Sequence, residues 1–106
     1  MAEDLSNMLE RLQQLQEQMA NVQQELGAKT VMMESGGGMV KVTANGKLQI
    51  VGIEIDKEVI DPNEKEMLED LVIAAVNRAI DRARELADTS MNDAARSFLP
   101  PGFSLP

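Results

Sequence analysis

Few residues in this chain could do chemistry, and their types narrow the choice quickly. The sequence has no His and no Cys, so it cannot build an imidazole base, a thiol nucleophile, a thiolate zinc site or a disulfide framework. Carboxylates, Ser and Lys remain, but no spacing among them forms a catalytic motif. The chain therefore reads as a non-enzyme without cofactor or metal. Gly36-Gly37-Gly38 is the one stretch that invites a phosphate cradle. A P-loop would continue into Gly-Lys-Ser/Thr and a helix N-terminus; here a strand-like run follows, so the glycines read as a connection. The most informative charges are Arg78 and Arg82. Four residues apart on a helix, they share a face and repel by a few tenths of a kcal/mol, roughly. Asp81 and Glu85, three residues after each, partly offset this. The pair is either a solvated helix end that complements the helix dipole, or a ridge that a second copy doubles and aims at phosphates. Lys41 and Lys47 either add to that ridge or guard a sheet edge against aggregation. Lys29 and Arg11 are weaker candidates.

The elements that position these side chains are organised around residues 36–56, GGGMVKVTANGKLQIVGIEID. Two runs rich in β-branched residues, 39–43 and 48–55, flank Asn45-Gly46, the dipeptide best suited to a type I′ turn with two positive φ angles. Val40 and Val42 point one way, Lys41 and Thr43 the other. In the second run Leu48 and Ile50 lie on one parity, and Val51, Ile53 and Ile55 on the other. Gly52 is the natural site for a bulge that absorbs this phase change. Residues 30–34 (TVMME) form a third strand, joined through Ser35 and the glycines. The three strands make an antiparallel meander.

Before the meander, residues 3 to about 26 predict one helix. Leu5, Met8, Leu12, Leu15, Met19, Val22 and Leu26 are spaced alternately three and four apart, an unbroken heptad seam. Apart from Leu9 and the alanines, the remaining positions are polar. At 1.5 Å per residue this helix is roughly 36 Å long, whereas a strand of five or six residues spans about 17–20 Å. The sheet cannot cover such a seam, so part of it must meet another helix, in the chain or in a second copy; the seven seam residues are candidate dimer-interface residues. Gly27 is placed to end the helix as its C′ residue.

After a short connection at 57–60, Asp61-Pro62-Asn63-Glu64 opens a second helix: Asp as N-cap, Pro at the first position, Glu at the third. Its apolar positions run through Leu68, Leu71, Val72, Ala75, Val76, Ala79, Ile80, Ala83, Leu86 and Ala87, broadened by Ile73 and Ala74. That is wider than a coiled-coil seam, as expected of a helix packed on a sheet and also against a neighbour. From Ser90 the period decays, and residues 91–106, with three of the four prolines and both Phe, read as a flexible or loosely docked tail. Its apolar end, LPPGFSLP, is a possible seat for a protein partner.

At 106 residues the chain has room for one core, in a single domain over 1–90. No apolar run is long enough for a membrane span and no signal segment opens the chain, so the expectation is a cytoplasmic protein with no membrane contact. Net charge is −8. The first helix sets Arg11 alone against Glu3, Asp4, Glu10, Glu17 and Glu25. On charge alone this argues against nucleic acid, whose affinity for proteins is dominated by Lys and Arg on phosphate.

The order of blocks is specific. A Gln- and Met-rich heptad helix precedes GMVKVTANG (38–46), residues 51–56 follow, and then MLEDLVIAAVNRA (67–79). This arrangement, over about residues 5–90, resembles the YbaB/EbfC family of bacterial nucleoid-associated proteins. The resemblance implies an α+β fold: a long N-terminal helix, a three-stranded antiparallel meander and a C-terminal helix, in an intertwined homodimer whose copies share a core. It further implies protruding helical arms with a tweezer-like outline. The implied activity is binding of double-stranded DNA at the nucleoid with limited sequence preference, without cofactor or catalysis. Arg78 and Arg82, supported by Lys41 and Lys47, are the candidate DNA-binding residues. The alternative is an acidic protein–protein adaptor or scaffold with weak or no DNA binding.

Overall fold

A computed structural model describes residues 2–96. Helix α1 spans Ala2–Ala28, and strands β1 (Thr30–Ser35), β2 (Val40–Asn45) and β3 (Ile50–Ile55) follow as a meander. Helix α2 (Lys65–Arg96) closes the described chain. The sheet order is β1-β2-β3 with antiparallel pairing throughout. The α+β architecture is thus the expected one.

The core lies on one face of the sheet. Val40, Val42 and Ala44 alternate inward from β2 and are fully buried, with Val31 and Met33 of β1 packed against them. Facing them are Ala75, Ala79 and Ala83 of α2, also fully buried. Alanines four apart put the smallest side chains on one face of the helix, and this brings its backbone close to the strands. The Ser35 hydroxyl ties the two layers by donating to the Leu71 carbonyl at 2.6 Å.

The bulge falls where the phase change required it. Thr43 pairs with Gly52 and Ala44 with Ile50, so Val51 is the extra residue on β3. The hairpin turn differs from the expected type I′. Among the described residues the positive-φ positions are Gly36, Gly37, Gly38 and Leu48; neither Asn45 nor Gly46 is among them. Asn45 and Gln49 close a three-residue loop, with the Asn45 amide donating to the Gln49 carbonyl at 2.9 Å and Leu48 N–H donating to the Asn45 carbonyl at 3.0 Å. Leu48, at φ 64°, supplies the left-handed residue that such loops place after the turn. The Asn45 side chain decides the outcome: its Oδ1 accepts from the amides of Lys47 and Gln49, at 2.9 and 3.1 Å.

Two further boundaries move. Gly27 does not end α1; it lies inside a helix that runs to Ala28, where a Cβ would sit 3.3 Å from Lys47 Cε. Residues 91–96, read from sequence as the start of a tail, belong to α2. No Gly or Pro interrupts them, and Ala94, Ala95 and Arg96 are good helix formers. The rest of that tail, 97–106, lies outside the described residues.

Asp61 caps as expected, its Oδ1 accepting from Asn63 N–H at 2.9 Å, but it caps a 3-10 turn over Pro62–Glu64 that feeds α2. Asp56 does the same for a 3-10 turn over Lys57–Val59, which buries Val59.

Candidate functional site

Arg78 and Arg82 sit one turn apart on an exposed flank of α2. Arg78 reaches β1, its Nη1 donating to the Glu34 carbonyl at 2.8 Å. Arg82 Nη1 meets Glu85 Oε2 at 2.6 Å with both side chains more than half exposed, a pairing that water and salt weaken readily. Both guanidiniums therefore keep donors for an incoming anion. Lys41 is placed differently. It alternates with the buried Val40 and Val42, so it projects from the sheet face opposite α2, across from Glu34 and Glu54 in the strand register. Lys47 lies in the hairpin loop at the other end of β2, folded over Gly27. The structure brings the two arginines together and leaves the two lysines separate from them and from each other. Among the described residues no group of acidic side chains is arranged to hold a metal, and no helix is long and apolar enough to cross a membrane.

The heptad seam divides. Leu26 is buried at 3% exposure, so it belongs to the core of its own chain and is unavailable to a partner, a correction to its place among the interface candidates. The cause is the hairpin: Leu26 packs against Gly46, whose amide donates to the Leu26 and Lys29 carbonyls at 2.8 and 3.1 Å. Met19 and Val22 are half-buried. Val22, with Glu25 and Lys29, lines a small cleft against Ser90, Asp93 and Ala94, where α2 runs past the sheet and back along α1. Leu5, Met8, Leu12 and Leu15 are exposed. The molecule is accordingly elongated, 74 × 24 × 16 Å, with the first part of α1 as a projecting arm.

A second apolar surface is not evident from the sequence alone. The register opposes Ile53 to Val42 and Ile55 to Val40, so both isoleucines point to the core side of the sheet. Helix α2, however, lies over β1 and β2, and β3 stays exposed along its whole length. Ile55 borders an open depression with Leu68, Glu69, Val72 and Ile73, and Ile73 is 58% exposed. The one signal for this face in the sequence is the width of the α2 stripe, too broad for a single partner.

Set beside known proteins, residues 1–98 match the model of the YbaB/EbfC DNA-binding family. The chain belongs to that family. Among YbaB/EbfC relatives, a nucleoid-associated protein of Caldanaerobacter subterraneus subsp. tengcongensis is 46% identical over 99 residues, covering 93% of this chain and 89% of that protein. A nucleoid-associated protein of Syntrophobacter fumaroxidans is 39% identical over 100 residues, covering 94% and 91%. The crystal structure of an uncharacterized Helicobacter pylori protein superposes with a TM-score of 0.75 at 21% identity, over 85% of this chain and 95% of that one, a likeness of fold. The YbaB/EbfC match spans both helices and the meander, so the projecting arm and the open β3 face lie within the family's own extent.

Proposed function

We propose that this chain is a homodimeric nucleoid-associated protein of the cytoplasm that binds double-stranded DNA through backbone and shape contacts, with little sequence preference. The observation that carries the proposal is the family match over residues 1–98, joined by relatives that bear the name nucleoid-associated protein. The dimer forms over the uncovered face of β3 and α2, where Ile53, Ile55 and Ile73 are exposed and a monomer would leave a contiguous apolar patch in water. Two-fold symmetry then presents the Arg78–Arg82 flank twice, with Lys41 and Lys47 as secondary contacts.

The net charge of −8 per chain opposes DNA at long range. At physiological salt the Debye length is only about 8 Å, so a local pair of guanidiniums governs the encounter at contact distance and binding is weak. A gel-shift titration on duplex DNA at two salt concentrations tests this. If two arginines from each copy neutralise phosphates, affinity falls by about a hundredfold between 50 and 200 mM salt. Absence of any shift at tens of micromolar protein rejects DNA as the partner. The same charge, with the exposed Leu5, Met8, Leu12 and Leu15, favours the second reading, an acidic adaptor that engages another protein.

A further inference from the structure

We propose that residues 97–106 fold back along α1 of their own chain and cover the exposed end of its heptad seam, over Leu15, Leu12 and Met8. Three observations point to this occupant. The first is delivery. Helix α2 runs beside α1 at Ser90, Asp93 and Ala94, against Val22 and Glu25, and the described helix ends at Arg96. It therefore releases the following residues next to the seam and heading toward the N-terminal end of the arm. The second is length. From Val22 back to Met8 the helix rises about 21 Å, and ten residues in an extended path reach about 33 Å at most. The segment covers the seam with slack, whereas β3 lies behind the end of the helix that releases it.

The third observation is chemistry. The segment reads SFLPPGFSLP: it carries no charge, and Phe98, Leu99, Phe103 and Leu105 give it an apolar repeat. Pro100-Pro101 cannot continue α2 as a helix and favours an extended, polyproline-like path. An uncharged apolar strand of this kind suits a stripe whose exposed members are Leu5, Met8, Leu12 and Leu15, at 61, 61, 54 and 38% exposure. It also meets no repulsion from the acidic residues beside the stripe. The arm then becomes a helix sheathed by its own C-terminal segment, and assembly is left to the β3 face.

The composition supplies the test. Phe98 and Phe103 are the chain's only aromatic side chains, with no Trp, Tyr or His. Every nuclear Overhauser contact from an aromatic proton to a methyl group therefore reports the position of this segment. The measurement uses the full chain, with labelled Leu and Met methyls and no DNA, so it stands apart from the binding reading above. Expected are contacts from the phenylalanine rings to methyls of Leu15, Leu12 and Met8. They should be absent from an interchain-filtered spectrum of mixed labelled and unlabelled protein, and absent after Phe98→Ser with Phe103→Ser. Contacts that survive the interchain filter would assign the segment to a second copy and overturn the proposal. Contacts to Ile53, Ile55 or Ile73 instead, or none to any methyl, would overturn it too. If the double variant does not fold, the spectra of the unaltered chain still decide.

Discussion

Gly46 and Leu26 touch through their backbones: the Gly46 amide donates to the Leu26 carbonyl at 2.8 Å. A Cβ on Gly46 would lie 2.8 Å from that oxygen and equally close to Leu26 Cδ2. Glycine is required here by the approach of the helix to the hairpin, since its φ lies outside the left-handed region. The joint between α1 and the sheet is built on that approach.

Gly46→Ala should accordingly destabilise the protein by about 1–3 kcal/mol, the cost of forcing extra volume into a closed contact. Thermal melting reads this as a drop of roughly 4–8 °C per kcal/mol. Gly37→Ala is the comparison: nothing lies within 4 Å of its Cβ position, so its cost is that of the left-handed backbone alone, about 1–2 kcal/mol. An unchanged melting temperature in Gly46→Ala would mean that α1 does not seat on the hairpin.

Ser35 is buried at 4% exposure, and its hydroxyl donates to the Leu71 carbonyl. Ser35→Ala removes this tie between strand and helix and should cost about 1 kcal/mol in urea unfolding, with the slope unchanged. Ser35→Val should cost more, because it overfills the same site.

Ile73 contributes little to the fold of one chain because it is 58% exposed. Ile73→Asp should therefore leave the secondary structure intact and abolish dimerisation, since a carboxylate in an apolar interface is strongly penalised. Sedimentation should find the 11.6 kDa chain mass for the variant and twice that for the parent. A dimer that persists in Ile73→Asp would move the interface away from the β3 face.

Arg78→Glu with Arg82→Glu should abolish the DNA shift while changing melting by no more than about 1 kcal/mol, because both side chains are exposed and their bonds are solvent-screened. Lys41→Gln should have the smaller effect, since Lys41 projects from the opposite sheet face. If the double variant binds like the parent, the arginine flank is only a solvated helix surface.

The elements themselves were legible. Period-two alternation located β2 from Val40 and Val42, heptad spacing located α1, and the Asp61-Pro62 signal located the approach to α2. The bulge beside Gly52 followed from parity, because a strand cannot change faces without an extra residue. The turn type was not legible, because the Asn45 side chain competes for the loop amides, and nothing in the dipeptide reveals that. The end of α2 was missed for a related reason: the apolar period stops where the sheet stops, while the helix continues on local propensity. The candidate site was only half legible. The pairing of Arg78 with Arg82 follows from helical spacing, but the separation of Lys41 from Lys47 depends on which sheet face and which end each occupies. The open face of β3 depends on where α2 crosses the sheet, which no periodicity records.

The seat of Leu26 against Gly46 also makes α1 a lever pivoted at one end. From Leu26 to Leu5 the helix rises about 31 Å, so a rotation of 10° at the pivot sweeps the far end through about 5 Å. That sweep is comparable to one helical turn. In a two-fold assembly both levers swing together, and the gap between their tips opens or closes by about 10 Å for the same rotation. The aperture of the pair is therefore set at the hairpin, by a glycine and one leucine.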